Sequence, residues 1–204
     1  VSVLDLEPAA PADAVLALGA NLGDRESTLR SATAALANQP GIEVRAASGA
    51  WQTAPVGGPR QPDYLNAVLL VRTRLSPRGL LAACHRVEAG LGRERGVRWG
   101  PRTLDVDVIT YGDLVVRAPD VELPHPRAAG RAFVLAPWNQ ADPQAVLPGA
   151  GGPHQVVDLL REAADRDTVQ LRPDIALIDS DLTDSDLINL TAGPEETAVP
   201  EEAE

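Results

Sequence analysis

Tyr64 to Gly90 reads YLNAVLLVRTRLSPRGLLAACHRVEAG, two elements joined at a boundary that the residues themselves mark. Tyr64 to Thr73 is rich in aliphatic and β-branched residues, which suit a strand. Ser76 can cap a helix, and Pro77 falls on the one helical position where a missing N–H costs nothing. Leu80, Leu81, Ala83, Cys84 and Val87 then recur at helical spacing, predicting a helix to about Gly90 with those residues on its buried face. Cys84 therefore reads as a packed, unreactive thiol, and as the single cysteine it has no disulfide partner within the chain.

Working outward, Ala14 to Leu18 predicts a buried strand ending at Gly19. A helix follows, with Asp24 as its cap, Glu26 in its first turn and Leu29, Ala32, Ala35 and Leu36 on one face, until Pro40 and Gly41 stop it. Gly19, Asn21 and Gly23 read as a structural turn, because the Lys-Ser/Thr of a P-loop is missing. Ile42 to Thr53 reads as one strand, and Ala54 to Asp63, with three prolines and two glycines, as a loop. Downstream, Gly90 to Arg102 (GLGRERGVRWGPR) predicts a mobile loop carrying four arginines, and Leu104 to Tyr111 a further strand. Strand, helix, strand, strand, helix, strand is the order of a split β-α-β unit. The expected class is α+β, a ferredoxin-like antiparallel sheet with two helices on one face. Arg127 to Ala136, His154 to Ala164 and Thr168 to Leu171 predict two helices and an edge strand as extra C-terminal elements.

Charge divides the chain. Residues 1–172 hold 18 Arg against 19 Asp and Glu, whereas 173–204 hold no Arg and 10 acids, out of a net charge of -11 over 204 residues. The expected organisation is an N-terminal extension over 1–13, a domain over 14–172, and an acidic, largely disordered tail over 173–204 in which Ile175 to Ile178 and Leu187 to Leu190 could dock. A near-neutral body with an anionic tail excludes a nucleic-acid binder that works by general phosphate attraction. No apolar run reaches the roughly 20 residues of a membrane helix, and no secretory leader pattern is present. The expectation is a soluble, cytoplasmic monomer. His85, His125 and His154 share no metal-ligand spacing, which with one cysteine argues against zinc.

Chemistry concentrates in Trp99 to Asp107, WGPRTLDVD. A two-residue step along a strand points Asp105 and Asp107 to one face, where two like charges roughly 6 to 7 Å apart favour a bound divalent cation. Magnesium suits such hard oxygens and completes its shell with water and substrate phosphates. The plainer alternative is a solvent-facing strand whose core side is Leu104, Val106 and Val108. Arg93, Arg95, Arg98 and Arg102, just upstream, favour the first reading, since guanidinium groups match phosphate oxygens bidentately.

Six blocks in order carry a resemblance: ALGANLGD (17–24), TAPVG (53–57), QPDYLNA (61–67), Glu88 with GRERG, WGPRTLDVD, and LPHP (123–126) followed by Arg131 and Phe133. Together they resemble the 6-hydroxymethyl-7,8-dihydropterin pyrophosphokinases of folate biosynthesis. The resemblance implies transfer of the β,γ-diphosphate of ATP, the co-substrate, to the hydroxymethyl group of 6-hydroxymethyl-7,8-dihydropterin, with release of AMP. It implies two Mg2+ ions on Asp105 and Asp107, and Arg93 and Arg102 acting catalytically on the triphosphate. ATP contacts fall on Glu88, Arg93, Arg95, Arg98, Trp99, Arg102, His125 and Arg131. Pterin contacts fall on Thr53, Val56, Tyr64, Asn66, Trp99 and Phe133, with Tyr64 and Phe133 stacking and Asn66 at the ring edge. Two other readings stay open: an inactive nucleotide-binding module on the same fold, and another ATP-dependent phosphotransferase.

Overall fold

The computed structural model describes residues 2–55, 61–92 and 103–178. Strand β1 (Ala12–Ala20) leads to α1 (Arg25–Ala37), then β2 (Ile42–Ala47), β3 (Ala50–Thr53) and β4 (Tyr64–Thr73); α2 (Pro77–Gly90) leads to β5 (Asp105–Tyr111). Two small pairs follow, β6 (Val116–Arg117) with β7 (Glu122–Leu123), and β8 (Val146–Leu147) with β9 (His154–Gln155), flanking α3 (Ala132–Ala141). Helix α4 (Val156–Glu162) and β10 (Val169–Arg172) complete the order. The main sheet runs β10-β3-β4-β1-β5, with β2 also on β4, and its pairings are antiparallel. Helices beside an antiparallel sheet make this an α+β fold.

Caps fall where the sequence predicts them. The Asp24 carboxylate accepts from the Ser27 N–H at 3.0 Å, and Ser76 Oγ from the Gly79 N–H at 3.1 Å, with Pro77 opening α2. Beneath α1 and α2, alternate residues Leu16 and Leu18 of β1 and Leu65, Leu69 and Val71 of β4 pack on Leu29, Leu36, Leu80 and Cys84. The intervening residues Val15, Val68 and Ile109 face Val134, Leu135, Trp138 and Val156 of α3 and α4. Covering both faces of the central strands accounts for their nearly unbroken apolar runs.

Several boundaries differ from the sequence reading. Ile42 to Thr53 is two strands, interrupted where Ser48 serves both backbone groups of Val68: its N–H donates to Val68 O and its Oγ accepts from Val68 N, each at 2.9 Å. The helix expected over 127–136 is α3, which starts at Ala132 and runs on to Ala141 because Pro137 and Trp138, beyond the predicted stop, are buried. The helix expected over 154–164 is the shorter α4, since His154 and Gln155 pair as β9. Gly19 lies inside β1, not in a turn, whereas Gly23 adopts φ +62° just before α1.

Packing also passes both limits expected for the domain. Leu4 is buried in a short 3-10 turn, and Arg78 Nη1 donates to both carboxylate oxygens of Asp5 at 2.8 Å. At the other end Ile175 and Leu177 are buried in the core beneath α1 and α2, and Arg30 Nε donates to Ala176 O at 2.8 Å. Apolar side chains at 175 and 177 dock despite the acidic composition around them. No helix among the described residues is long and apolar enough to cross a membrane.

Candidate active site

Register decides which side chains meet. Asp105 of β5 lies opposite Gly19 of β1, Gly19 opposite Asn66 of β4, and Asn66 opposite Trp51 of β3; Asp107 lies opposite Ala17. Strand alternation sends these residues to the face covered by α3 and α4, where the helical layer stops short. The gap is a cleft of about 740 Å³, lined by Asp105, Asp107, Thr53, Tyr64, Asn66 and Phe133 among others. Its size suits a small-molecule site.

The acidic wall is the half-exposed pair Asp105 and Asp107. Beside it, the His125 backbone N–H donates to Ile109 O at 2.8 Å and His125 Nδ1 accepts from the Arg127 N–H at 3.3 Å. Nε2 then carries the ring hydrogen and lies 3.9 Å from Asp107 Oδ2. Burial pushes the imidazole below its ordinary pKa, and Arg131 and Arg127 push the same way against Asp107. His125 is therefore neutral at neutral pH. Among the described residues no group of three or more His, Cys, Asp and Glu is gathered for a metal. Two adjacent carboxylates nevertheless fit magnesium, which commonly takes one or two from the protein and the rest of its shell from phosphates and water.

The opposite wall is flat and amide-lined. Asn66 Nδ2 donates to Thr53 Oγ1 at 2.8 Å, which leaves the Asn66 carbonyl oxygen toward Gly19; a Cβ there would sit 3.1 Å from that oxygen. The Tyr64 hydroxyl donates to Gln61 Oε1 at 3.3 Å, and the same oxygen accepts from Asn21 Nδ2 at 3.0 Å. Phe133 stands on the first turn of α3, with the Arg131 guanidinium 5.2 Å from its ring centroid, a cation–π contact. Asp165 Oδ1 accepts from the Ala132 N–H at 3.0 Å and so caps that turn.

Thr53, Tyr64, Asn66, Asp105, Asp107, Arg131 and Phe133 thus share one cleft, with His125 at its border. Glu88 is not in its lining: it is 2% exposed, and its Oε1 accepts from the Val106 N–H at 2.8 Å on the α2 side of β5. Val56, Arg93, Arg95, Arg98, Trp99 and Arg102 lie outside the described residues. The sequence reading missed Gly19 as a cleft residue, together with Gln61, Arg127 and Asp165. Gln61 lies inside a quoted block and Arg127 directly follows one, so both could have been found there; Asp165, a lone acid beyond α4, carries no local signal.

The model of the 7,8-dihydro-6-hydroxymethylpterin-pyrophosphokinase (HPPK) family matches residues 15–143, more than half of the chain. The chain belongs to this family. It is 43% identical over 136 residues to the 2-amino-4-hydroxy-6-hydroxymethyldihydropteridine pyrophosphokinase of Methylorubrum extorquens, covering 67% of this chain and 86% of that protein. The protein of the same name from Mycobacterium tuberculosis is 43% identical over 176 residues, 80% of this chain and 92% of its own. The bifunctional protein FolKE of Lactococcus lactis is 43% identical over 122 residues, 60% of this chain, and the chain spans only 35% of its length. Among solved structures, the wild-type Plasmodium falciparum HPPK-DHPS with pterin and p-hydroxybenzoate shares the fold with TM-score 0.59 at 13% identity, over 81% of this chain and 46% of that one. The chain thus spans about half of that two-part HPPK-DHPS protein.

Proposed function

We propose that this HPPK-family chain transfers the diphosphate of ATP to the 6-hydroxymethyl group of 6-hydroxymethyl-7,8-dihydropterin, giving the pterin diphosphate and AMP. One observation carries the reading: the cleft sets two carboxylates, Asp105 and Asp107, across from an amide and two rings, Asn66, Tyr64 and Phe133. The first wall suits a polyphosphate with its cations, and the second a flat heterocycle with polar edges.

In this reading Asp105 and Asp107 hold two Mg2+ ions. Magnesium bound there supplies charge neutralisation for the phosphates and polarisation of the attacking hydroxyl. Arg93 and Arg102 offset charge on the β- and γ-phosphates as the bond to the α-phosphate breaks, and Arg95, Arg98, Trp99 and Arg131 complete the nucleotide side. Neutral His125 offers its Nε2 hydrogen to a phosphate oxygen without adding charge. Thr53, Val56, Tyr64, Asn66 and Phe133 orient the pterin so that its hydroxyl meets the β-phosphorus, a gain from positioning alone. Glu88, buried behind β5, acts on the nucleotide side only by fixing the backbone at Val106, between the two aspartates. The framework is read as ferredoxin-like, the protein as a cytoplasmic monomer.

Incubation with Mg-ATP and 6-hydroxymethyl-7,8-dihydropterin, followed by chromatographic separation of nucleotides, tests the proposal. Pterin-dependent AMP is the expected product. ADP would point to a single-phosphoryl kinase, and ATP binding without either product to a nucleotide-binding module.

A further inference from the structure

Gln61 to Tyr64 form the rim of the cleft beside the proposed pterin wall, and that rim is held from the other side of the sheet. Gln52 alternates with Thr53 along β3 and therefore points away from the cleft. There its Nε2 donates to Asp63 Oδ2 at 2.8 Å, while its Oε1 accepts from Arg172 Nη1 at 2.9 Å. A neutral amide is thus seated between a carboxylate and a guanidinium, donating to the anion and accepting from the cation, so both hydrogen bonds are charge-assisted. Arg172 is itself fixed on Asp174, Nε to Oδ1 at 3.0 Å and Nη2 to Oδ2 at 2.7 Å. Asp63 is held a second time, through its carbonyl, by Arg25 Nη1 at 2.7 Å. The residue immediately before Tyr64 is therefore anchored by side chain and main chain together.

Arg172 and Asp174 lie beyond residue 143, where the match to the family model ends. We propose that Arg172 and Gln52 are positioning residues for the pterin wall, through which the C-terminal strand β10 sets affinity for the acceptor substrate and not for ATP. The inference rests on the pterin reading of Tyr64, Asn66 and Phe133. Without the relay Asp63 keeps, among the described residues, its backbone tie to Arg25, and the Tyr64 ring is no longer pre-set against its ligand; the cost appears as binding free energy for the pterin.

The test uses the full chain with Arg172→Ala, Gln52→Ala, the double variant and Gln52→Glu, with Phe133→Ala as a marker of the wall itself. Pterin and ATP dissociation constants, KM, kcat and thermal melting are measured for each. Arg172→Ala and Gln52→Ala are each expected to raise the pterin Kd and KM roughly tenfold, the loss of one charge-assisted hydrogen bond. Saturated kcat and ATP Kd should stay within about twofold, and the double variant should be no worse than either single one, because the two residues act in series. Gln52→Glu keeps an acceptor for Arg172 but sets a carboxylate against Asp63, so it should fail to restore pterin affinity. Unchanged pterin Kd in the relay variants, with a raised value in Phe133→Ala, would overturn the relay and leave the pterin wall standing. No change in Phe133→Ala either would remove the wall and the relay together. Equal losses of pterin and ATP affinity with a lowered melting temperature would reduce Arg172 and Gln52 to ordinary structural residues.

Discussion

Asn66 gives its amide nitrogen to Thr53 Oγ1 at 2.8 Å and turns its amide oxygen toward Gly19, the one residue of the β5-β1-β4 row that brings no side chain. Gly19 is extended here, so its value is space and not backbone freedom. In Gly19→Ala the new methyl would approach the Asn66 oxygen to 3.1 Å, and the amide must shift by a few tenths of an ångström. We expect stability to fall by about 1 kcal/mol or less and pterin affinity by roughly tenfold, since overpacking is mild but the amide is displaced. Calorimetric titration with the pterin beside a thermal melt separates the two effects.

Asp107→Ala removes half of the carboxylate pair at a half-exposed position, so the fold should survive. AMP formation is expected to drop at least about a thousandfold, the scale of several kcal/mol of charge stabilisation. Retained turnover in a purified, folded variant would sink the metal assignment. Titration with Mn2+ by electron paramagnetic resonance offers a reading independent of activity.

Cys84 packs in the core under α2, and burial, then Glu88 and Asp107, push its thiol up to about 12. The thiol stays protonated at neutral pH, and thiolate is the reactive form. A disulfide reagent should therefore leave the native protein unlabelled at pH 8 and label one site per chain in denaturant. Fast labelling of the native protein would contradict the buried placement.

Leu69 is fully buried at the centre of β4. Leu69→Ala should cost about 2 to 5 kcal/mol, transfer and cavity terms together, measured by urea denaturation. A loss under 1 kcal/mol would mean that α1 and α2 settle into the space.

Arg78 ties two segments to the start of α2, Asp5 on one side and Asp120 on the other, with Nε donating to Asp120 Oδ2 at 2.7 Å. The hydrogen bond from Arg78 holds the Asp120 carboxyl below its ordinary range. A depressed carboxyl contributes stability that is complete above its unfolded value and is lost as pH falls through the lowered one. Limited proteolysis should accordingly cut near residues 118–121, beside Asp120, faster in Arg78→Ala than in the parent at neutral pH. The two should converge at strongly acid pH, under an acid-active protease.

The order of the first six expected strands and helices was legible because its punctuation is local: Asp24, Pro40-Gly41 and Ser76-Pro77 each stop or start an element by a bond or a ring. The break at Ser48 was not, since it depends on a partner, Val68, twenty positions away. Pro137 misled in the opposite sense, its local penalty being outweighed by the burial of Leu135 and Trp138. In the site, Asp105 and Asp107 stand out by spacing, and Tyr64, Asn66 and Phe133 by the motifs around them. Gly19 and Asp165 belong to the cleft only through strand register and a helix cap, neither of which leaves a mark on neighbouring residues. Glu88 shows the reverse: a position near the nucleotide by resemblance, whose side chain faces the other side of the sheet.

Asp105, Gly19 and Asn66 sit abreast on three adjacent strands, β5, β1 and β4, whose mutual spacing is fixed by backbone hydrogen bonds. Two strand spacings, about 10 Å, therefore separate the backbone that carries the acidic pair from the backbone that carries the amide. No loop motion can lengthen that interval. On the proposed reading the sheet works as a fixed gauge that selects by length: an acceptor whose hydroxyl stood one carbon farther from its ring is expected to bind beside Tyr64 and Phe133 yet turn over poorly.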